Sequence, residues 1–335
     1  MRGTRGPGAR VTRVFSGIQP TGDVHLGNYV GAIGRWAREQ RPEHTFCIVD
    51  MHAMTLPHDP AVLRSTTLDL ACWLFAAGLD PDVCTVFVQS QVHEHAELAW
   101  VLECVATMGE LGRMTQFKDK GRGSESVRAG LFTYPALMAA DILLYQAEQV
   151  PVGEDQRQHV ELTRDLAQRF NARFGDTFTV PTATLPPVGA RIMHLQLVDA
   201  KMSKSAGTPA GLLMLGESES VTAKKVMRAV TDSGSEVRAT PDKRGISNLL
   251  NLMAAVTGSD VPTLERAYEG KGYGAFKRDV AEAVNGFLRP VRERYSELRA
   301  DPAAVTEALH KGADRARAVA GPTMATVRER VGYLG

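Results

Sequence analysis

The sequence predicts an α/β protein, in which a parallel sheet with helices on both faces precedes an all-helical part. Strand-like runs alternate with helical ones through the first half of the chain, and this order is typical of parallel sheets covered by helices. From Val221 onward, no run is typical of a strand. A stretch rich in glycine and proline follows the first strand-like run and leads directly into a helical pattern, which indicates a ligand loop.

The individual elements follow from hydrophobic periodicity. Five runs are typical of strands, namely 11–18, 45–50, 85–90, 149–152 and 191–198. Helical patterns lie at 28–40, 61–78, 94–108, 221–230, 246–256, 276–299, 303–319 and 323–331. We therefore expect a disordered tail at 1–11, a sheet domain at 12–205 and a helical domain at 206–335. Ligands of such sheets bind beyond the carboxyl ends of the strands. Polar residues and a glycine stand at those ends, namely Gln19, Asp50, His52, Gln89 and Gly153.

The composition is that of an ordinary globular protein. The 335 residues are 44% apolar and 23% charged, with a net charge of +1, and no apolar run is long enough to span a bilayer. The four cysteines show no Cys-x-x-Cys spacing and no secretory signal is present, so we expect a reducing cytoplasm. The absence of Walker-type and Gly-x-Gly-x-x-Gly fingerprints disfavours a P-loop ATPase and a dinucleotide dehydrogenase.

The loop after the first strand is the first candidate site. Gly17, Gly22 and Gly27 allow the backbone to approach a ligand closely, and His25-Leu26-Gly27-Asn28 stands at the turn into the helix. The free N–H groups of a helix start attract phosphate. By itself, such a unit also occurs as an ordinary connection in α/β sheets.

A second stretch, Lys201-Met202-Ser203-Lys204-Ser205, places two lysines on a loop of small residues. Positioned ammonium groups stabilise the charge that develops on departing pyrophosphate. The two stretches, in this order, resemble the two signature motifs of class I aminoacyl-tRNA synthetases. The lead-in at 16–22 and the Gly-Asn ending of the first motif are similar to the tryptophanyl-tRNA synthetase family, and the resemblance covers nearly the whole chain. The Ala-Gly-Thr-Pro run after the second motif departs from the acidic residue that many relatives carry there.

The segment 133–145 predicts a helix with a carboxylate on an apolar face. Four side chains share that face, namely Tyr134, Met138, Asp141 and Tyr145, and Pro135 is expected in the first turn. A buried carboxylate needs a partner, so Asp141 either meets a cation or donor within the protein or accepts from a ligand such as an indole N–H. Tyrosyl-tRNA synthetases carry a similar helix with Gln in the middle, and Met138 favours a flat apolar ring over a phenol.

His93 and His95 flank Glu94 and raise the question of a metal site. A His-x-His pair without a third ligand nearby is weak evidence for a metal. We therefore expect these histidines at a solvent-facing helix start.

The resemblance implies a Rossmann-like catalytic domain with a C-terminal all-helical domain, and it assigns site residues. The implied catalytic positions are Lys201, Lys204, His25 and Asn28. The implied ATP-binding positions are Gln19, Pro20, Thr21, Gly27, Asn28, Gly153, Glu154, Asp155, Ile192, Lys201, Met202, Ser203, Lys204 and Ser205. The implied tryptophan-binding positions are Asp141, Tyr134, Met138, His52, Gln156 and Phe15. No position is assigned to a protein-bound metal.

The activity that the resemblance implies is tryptophan–tRNA ligation. ATP with Mg²⁺, L-tryptophan and tRNA(Trp) are the implied cofactors and partners, and a homodimer without membrane contact is expected. In the family, the C-terminal helices contact the anticodon; here they carry basic residues such as Lys224, Lys225, Arg228, Lys277 and Arg278. Two alternatives remain open. A tyrosyl-tRNA synthetase is disfavoured by Met138, and a regulatory paralogue that no longer activates an amino acid is disfavoured by the intact Lys201, Lys204 and Asp141.

Overall fold

The computed structural model describes residues 12–115, 117–118, 127–185, 192–203 and 206–334. In these ranges, five strands form one parallel sheet in the order β3-β2-β1-β4-β5. The strands are β1 (Val14–Ile18), β2 (His44–Ile48), β3 (Thr85–Val88), β4 (Gln149–Pro151) and β5 (Thr182–Thr184). The α/β prediction is confirmed, and the expected tail at 1–11 lies outside the described residues.

The first four predicted strands are present, but the fifth prediction is wrong. Among the described residues of 191–198, only an isolated antiparallel bridge forms, between Met193 and Lys201. The Asn248 side chain bonds both backbone groups of Met193, at 2.8 and 2.9 Å, so the run packs against the C-terminal helices instead of joining the sheet. The real edge strand, β5, has only three residues, Thr-Ala-Thr, which is too short for a hydrophobic pattern to reveal.

The helices form two groups. Around the sheet lie α1 (Leu26–Asn28) with a π-helical turn at Tyr29–Ile33, α2 (Gly34–Glu39), α3 (Asp50–Ala53), α4 (Pro60–Ala76), α5 (Glu94–Glu103), α6 (Met108–Gly112), α7 (Ala129–Leu143) and α8 (Arg157–Phe174). The second group contains α9 (Glu219–Met227), α10 (Arg244–Thr257), α11 (Val261–Ala267), α12 (Tyr273–Ala300) and α13 (Pro302–Val331). From residue 221 to 334, the structure contains no strand, as the sequence predicts.

Two prolines lie inside helices, although the helix limits predicted from the sequence place one in a first turn and the other between two helices. Pro135 lies inside α7, which begins six residues earlier at Ala129, so its placement in the first turn is wrong. Pro322 lies inside α13, so the two predicted helices at 303–319 and 323–331 are one helix. A proline removes a single hydrogen bond from a helix. The buried packing of Ala320 and Met324 against the sheet core offsets this loss in α13.

The two faces of the sheet bury different helices. Alternate side chains of β2 point to opposite faces. Phe46 and Ile48 belong to a core that includes residues of α4, α10 and α12, whereas Cys47 belongs to one that includes residues of α5, α7 and α8. Because the first core also contains Leu26 and Met202, the C-terminal helices support both sequence motifs.

The last helix, α13, packs back onto the sheet. A Cβ on Gly312 would lie 1.8 Å from the carbonyl oxygen of Val86 in β3, so only glycine permits this backbone contact. Arg328 also donates to both carboxylate oxygens of Glu97 on α5, at 2.7 and 2.5 Å. Because α13 packs on the sheet, these contacts do not separate two domains, and the domain boundary at 205 stays a prediction. Over the described ranges, no helix combines the length and the apolar character that crossing a membrane requires.

Candidate active site

A cavity of about 280 Å³ opens at the carboxyl ends of β1 and β4. Its lining is Phe15, Ser16, Gly17, Gln19, Val49, His52, Tyr134, Met138, Asp141, Ile142, Val150, Pro151, Val152 and Gln156. Apolar walls with a few converging polar groups are typical of small-molecule sites. All six side chains that the sequence assigned to the amino-acid substrate line this one cavity.

Asp141 is the centre of a buried hydrogen-bond network at this cavity. Its Oδ2 lies 2.7 Å from His52 Nε2, and its Oδ1 lies 2.6 Å from both Gln89 Nε2 and His95 Nδ1. Because a carboxylate can only accept, all three nitrogens donate. The sequence left open whether Asp141 meets a donor within the protein or a ligand. The structure shows three protein donors on a carboxylate that still lines the cavity.

The network keeps Asp141 ionised although its residue surface is only 1% exposed. Burial opposes the charged form, but the charge and hydrogen bonds of His52 and His95 bring the pKa of the carboxyl below its usual value. Burial raises the pKa of the Tyr145 hydroxyl, which lies 2.8 Å from His95 Nε2, so that hydroxyl keeps its proton. The site thus presents a negatively charged acceptor within apolar surroundings.

Tyr134 forms a rigid wall of the cavity because α8 holds it. Its hydroxyl lies 2.5 Å from Nε2 of the fully buried His159. Burial raises the pKa of the Tyr134 hydroxyl, so the neutral phenol is the form present. Its ring meets the His52 ring edge-on, with centroids 6.1 Å apart. Met138 follows one turn later on α7 and completes this side of the cavity.

His25 and Asn28 cap the start of α1 reciprocally. The Asn28 backbone N–H donates to His25 Nδ1, and the His25 backbone N–H donates to Asn28 Oδ1, both at 3.2 Å. This is a capping box, which fixes the entry of the chain into the helix. Both side chains therefore hold the loop in one conformation.

The structure brings the two sequence motifs into contact. A Cβ on Gly27 would lie 3.0 Å from the Met202 carbonyl oxygen, so the second motif passes directly against the first. Leu26 N also donates to Leu213 O at 2.7 Å. Lys201 is exposed beside the buried Met202. Lys204 and Ser205, the other predicted phosphate contacts, lie outside the described residues.

His194 makes hydrogen bonds to the chain on both sides of the second motif. Its Nδ1 accepts from the backbone N–H groups of Gln196 and Leu197, at 3.2 and 3.0 Å, and its Nε2 donates to Thr208 O at 3.0 Å. The ring is fully buried and lies where a Cβ on Gly211 would stand. A single imidazole therefore joins residues that precede the second motif to residues that follow it.

The turn after β4 joins the cavity to an exposed acceptor. Gln156 lines the cavity, and its Nε2 donates to Asp155 Oδ2 at 3.0 Å. A Cβ on Gly153 would lie 2.6 Å from Asp155 Oδ1, so glycine lets the carboxylate fold back over the turn. Asp155 is exposed, as is the neighbouring Glu154.

The other predicted nucleotide contacts differ in their exposure. Gln19 and Thr21 are exposed, while Pro20 is buried. Ile192 is buried in the core, and its carbonyl oxygen accepts from Met202 N at 3.0 Å. Ile192 therefore holds the second motif through its backbone carbonyl.

Two histidines of the site were not found from the sequence. His95 was expected to face solvent; it is fully buried at Asp141, and only His93 of the pair is exposed. His159 received no role, yet it holds Tyr134. The only signal for His95 was its position after β3, the strand whose end also carries Gln89.

The chain is also similar to known proteins over almost its whole length. The family model described as class I tRNA synthetases (W and Y) matches residues 8–289. The chain is 54% identical over 327 residues to tryptophan–tRNA ligase 2 of Streptomyces avermitilis, covering 96% of this chain and 97% of that protein. It is also 54% identical over 332 residues to tryptophan–tRNA ligase 1 of Streptomyces coelicolor, covering 97% and 98%.

Solved structures are similar over the same length. The tryptophanyl-tRNA synthetase of Mycoplasma pneumoniae superposes with a TM-score of 0.87 at 34% identity, covering 97% of this chain and 99% of that one. The Campylobacter jejuni tryptophanyl-tRNA synthetase in complex with ADP and tryptophan gives 0.83 at 36% identity, covering 96% and 100%. A family model that spans most of the sequence and relatives this similar from end to end lead to one conclusion: the chain belongs to the class I tRNA synthetases that comprise the tryptophan and tyrosine enzymes.

Proposed function

We propose that this chain is a tryptophan–tRNA ligase, which activates L-tryptophan with ATP and transfers it to tRNA(Trp). The observation that carries the proposal is the ionised Asp141 in an apolar cavity between Phe15, Tyr134 and Met138. An indole is flat and apolar, and its N–H can only donate, so it matches an acceptor-only carboxylate. The relatives that bear the name tryptophan–tRNA ligase support the same substrate.

ATP is proposed to bind where the two motifs meet. The α1 start, held by His25 and Asn28, and the exposed Lys201 offer donors and positive charge to a polyphosphate. Asp155 is an exposed acceptor suited to a ribose hydroxyl. The ADP in the Campylobacter structure supports a nucleotide in this fold.

In the activation step, the tryptophan carboxylate attacks the α-phosphorus of ATP and pyrophosphate leaves. In the transfer step, the adenylate passes its acyl group to the terminal adenosine of tRNA, and AMP leaves. The chain contributes alignment of the two substrates and, through Lys201, stabilisation of charge on the leaving pyrophosphate. No covalent enzyme intermediate is required.

Mg²⁺ is proposed to enter with ATP, bound to its phosphates. In the part of the chain that the structure describes, no group of three or more His, Cys, Asp or Glu side chains is placed to hold a metal ion.

The C-terminal helices are proposed to contact tRNA. Lys224, Arg228 and Arg278 are exposed there and suit phosphate contacts. Lys225 instead pairs with Glu217, and Lys277 donates to Ala229 O at 2.8 Å, so these two have roles within the protein.

A homodimer in the cytoplasm is proposed as the working form. Trp100 on α5 and Met108 on α6 are 61% and 75% exposed. A partner subunit that covers these two side chains would remove apolar surface from water. Sedimentation of the purified protein and of a Met108→Glu variant tests this: a dimer that the variant weakens supports the proposal, and a wild-type monomer contradicts it.

The decisive experiment is amino-acid-dependent ATP–pyrophosphate exchange, followed by aminoacylation of tRNA. We expect exchange with tryptophan and little with tyrosine or phenylalanine. Exchange with tyrosine alone would make the chain a tyrosyl-tRNA synthetase. ATP binding without exchange for any amino acid would make it a regulatory paralogue.

A further inference from the structure

Two residues hold Asp141 without belonging to the cavity wall, and a third residue contacts one of these two. Gln89 and His95 are fully buried, Tyr145 is 3% exposed, and the cavity lining contains none of them. They form a chain in which Tyr145 contacts His95, and His95 and Gln89 both contact Asp141 Oδ1. Gln89 and His95 therefore contact the cavity lining through Asp141, whereas Tyr145 also contacts the cavity residue Phe15.

The orientation of each group in this chain is determined by its neighbours. The Gln89 side-chain oxygen accepts from Met51 N at 3.2 Å, which turns the amide NH₂ toward Asp141. The carboxylate accepts from His95 Nδ1, and His95 Nε2 lies 2.8 Å from the Tyr145 hydroxyl, so a hydrogen-bond partner holds each side of the imidazole. Tyr145 is itself stacked on Phe15, with centroids 5.5 Å apart and an interplanar angle of 6°.

Counting acceptor positions shows what these contacts leave for a ligand. A carboxylate has about four lone-pair positions, two on each oxygen. Gln89 and His95 occupy both positions of Oδ1, and His52 occupies one position of Oδ2. In the described network, one acceptor position on Oδ2 is left, on the side chain that lines the cavity.

We propose that His95 is a positioning residue for amino-acid specificity, which together with Gln89 saturates Asp141 Oδ1 and so directs the remaining Oδ2 acceptor at a substrate N–H. This inference rests on the proposed function, because it assumes that the indole occupies the cavity. Without the His95 donor, the carboxylate rotates and its selectivity for an N–H falls. Packing of the flat ring against Phe15 and Met138 is retained, since these side chains do not change.

The test compares L-tryptophan with L-3-benzothienylalanine, in which sulfur replaces the indole N–H. The quantity measured is the ratio of kcat/KM for the two amino acids in pyrophosphate exchange. His95→Leu removes the donor and should lower this ratio about tenfold or more. His95→Asn keeps a side-chain donor near the Nδ1 position and should stay within about threefold of the wild-type ratio. The KM for ATP should change less than about twofold in both variants.

An equal loss of activity with both amino acids in His95→Leu overturns the proposal, because a purely structural role leaves the ratio unchanged. If His95→Leu does not fold, Gln89→Met decides instead. It conserves volume and removes the other Oδ1 donor, and an unchanged ratio there also overturns the proposal. A wild-type protein that shows no exchange with tryptophan contradicts the proposed function. Normal exchange with a ratio that neither variant changes contradicts only the role of His95.

Discussion

His52 Nε2 lies 2.7 Å from Asp141 Oδ2, although 89 positions separate the two residues in the sequence. His52 follows β2, and Asp141 lies in the last turn of α7. They meet because α7 packs on the sheet face beside α3, the short helix that follows β2 and contains His52. The contact places a histidine with a carboxylate at the wall of the cavity and makes Asp141 the group whose removal is most informative.

Asp141→Ala should raise the KM for tryptophan about a hundredfold or more, because it removes the only charged acceptor of the described cavity lining. The KM for ATP should change less than about threefold, since the nucleotide is proposed to bind at the two motifs. Exchange kinetics with each substrate varied in turn measure both values. Asp176→Ala, at an exposed position, is the matched control. Equal losses for tryptophan and ATP would indicate a folding defect and contradict the assignment.

The sheet and most helices could be predicted because they follow from local periodicity. The alternation of strands and helices, and the absence of strands from Val221 onward in the described range, were both predicted from the sequence. The edge strand β5 and the run 192–198 could not be assigned correctly, since hydrogen-bond pairing with a neighbouring strand determines whether such a run becomes a strand. An extended run becomes a strand only if a sheet edge is free, and Asn248 holds Met193 elsewhere.

The residues of α7 that line the cavity could be predicted from the sequence, but the buried histidines that hold them could not. Tyr134, Met138 and Asp141 share one helix face, so spacing alone groups them. His95 stands two residues from another histidine at a helix start, a pattern that also occurs in solvent. Its burial results from the packing of α5 against α7, which no local signal encodes. His159 likewise joins the candidate site through its contact with Tyr134, which its sequence position does not indicate.

Gly27→Ala should raise the KM for ATP about tenfold, because the new Cβ would lie 3.0 Å from both Met202 O and His25 Nδ1 and force the two motifs apart. The KM for tryptophan should change less than about threefold. Gly31→Ala is the matched control in the same helical segment, since its Cβ meets nothing within 4 Å. A Gly27→Ala variant as active as Gly31→Ala would show that close contact between the motifs is not needed.

Lys201→Ala should lower kcat for exchange about a hundredfold, since it removes a lysine ammonium group that stabilises the negative charge on the leaving pyrophosphate. Its free energy of unfolding should change by less than about 0.5 kcal/mol, because the side chain is exposed. Lys224→Ala, at another exposed lysine, should leave exchange unchanged. If Lys201→Ala and Lys224→Ala exchange equally fast, Lys201 takes no part in activation.

The ion pair between Glu110 and Arg169 should contribute to the free energy of unfolding at neutral pH, and this contribution should disappear in acid. Arg169 donates to both of its carboxylate oxygens, at 2.5 and 3.0 Å, and this hydrogen bonding is the main cause that lowers the pKa of Glu110 from 4.5 to about 2. Because the folded value lies below the unfolded one, the contribution is complete above about pH 4.5 and is lost as the pH falls toward 2. Glu110→Gln should therefore cost about 1 kcal/mol at pH 7, after allowance for solvent screening of the partly exposed Arg169.

Urea unfolding of wild type and Glu110→Gln at pH 7 and pH 3 measures this difference. The gap between the two proteins should be narrower at pH 3. Glu329→Gln, at an exposed carboxylate on α13, should show no comparable pH-dependent gap. A gap for Glu110→Gln that is equal at both pH values would mean that the ion pair does not lower the pKa of Glu110.

His194 and Gly211 should show a compensating interaction. A Cβ on Gly211 would lie 1.9 Å from His194 Cε1, so Gly211→Ala must displace the ring and break its hydrogen bonds to Thr208, Gln196 and Leu197. We expect a loss of about 1–3 kcal/mol in the free energy of unfolding and a raised KM for ATP, because the ring fixes the chain on both sides of the second motif. His194→Ala alone should also destabilise, since it leaves a cavity and unpaired backbone groups.

In the double variant the added methyl group enters space that the imidazole has vacated. The combined loss should therefore be smaller than the sum of the two single losses by about 1–2 kcal/mol. Urea unfolding of all four proteins measures this coupling, and Gly321→Ala, whose Cβ meets nothing within 4 Å, replaces Gly211→Ala in a control cycle that should be additive. Strict additivity in the His194–Gly211 cycle would show that the ring and the glycine do not constrain each other.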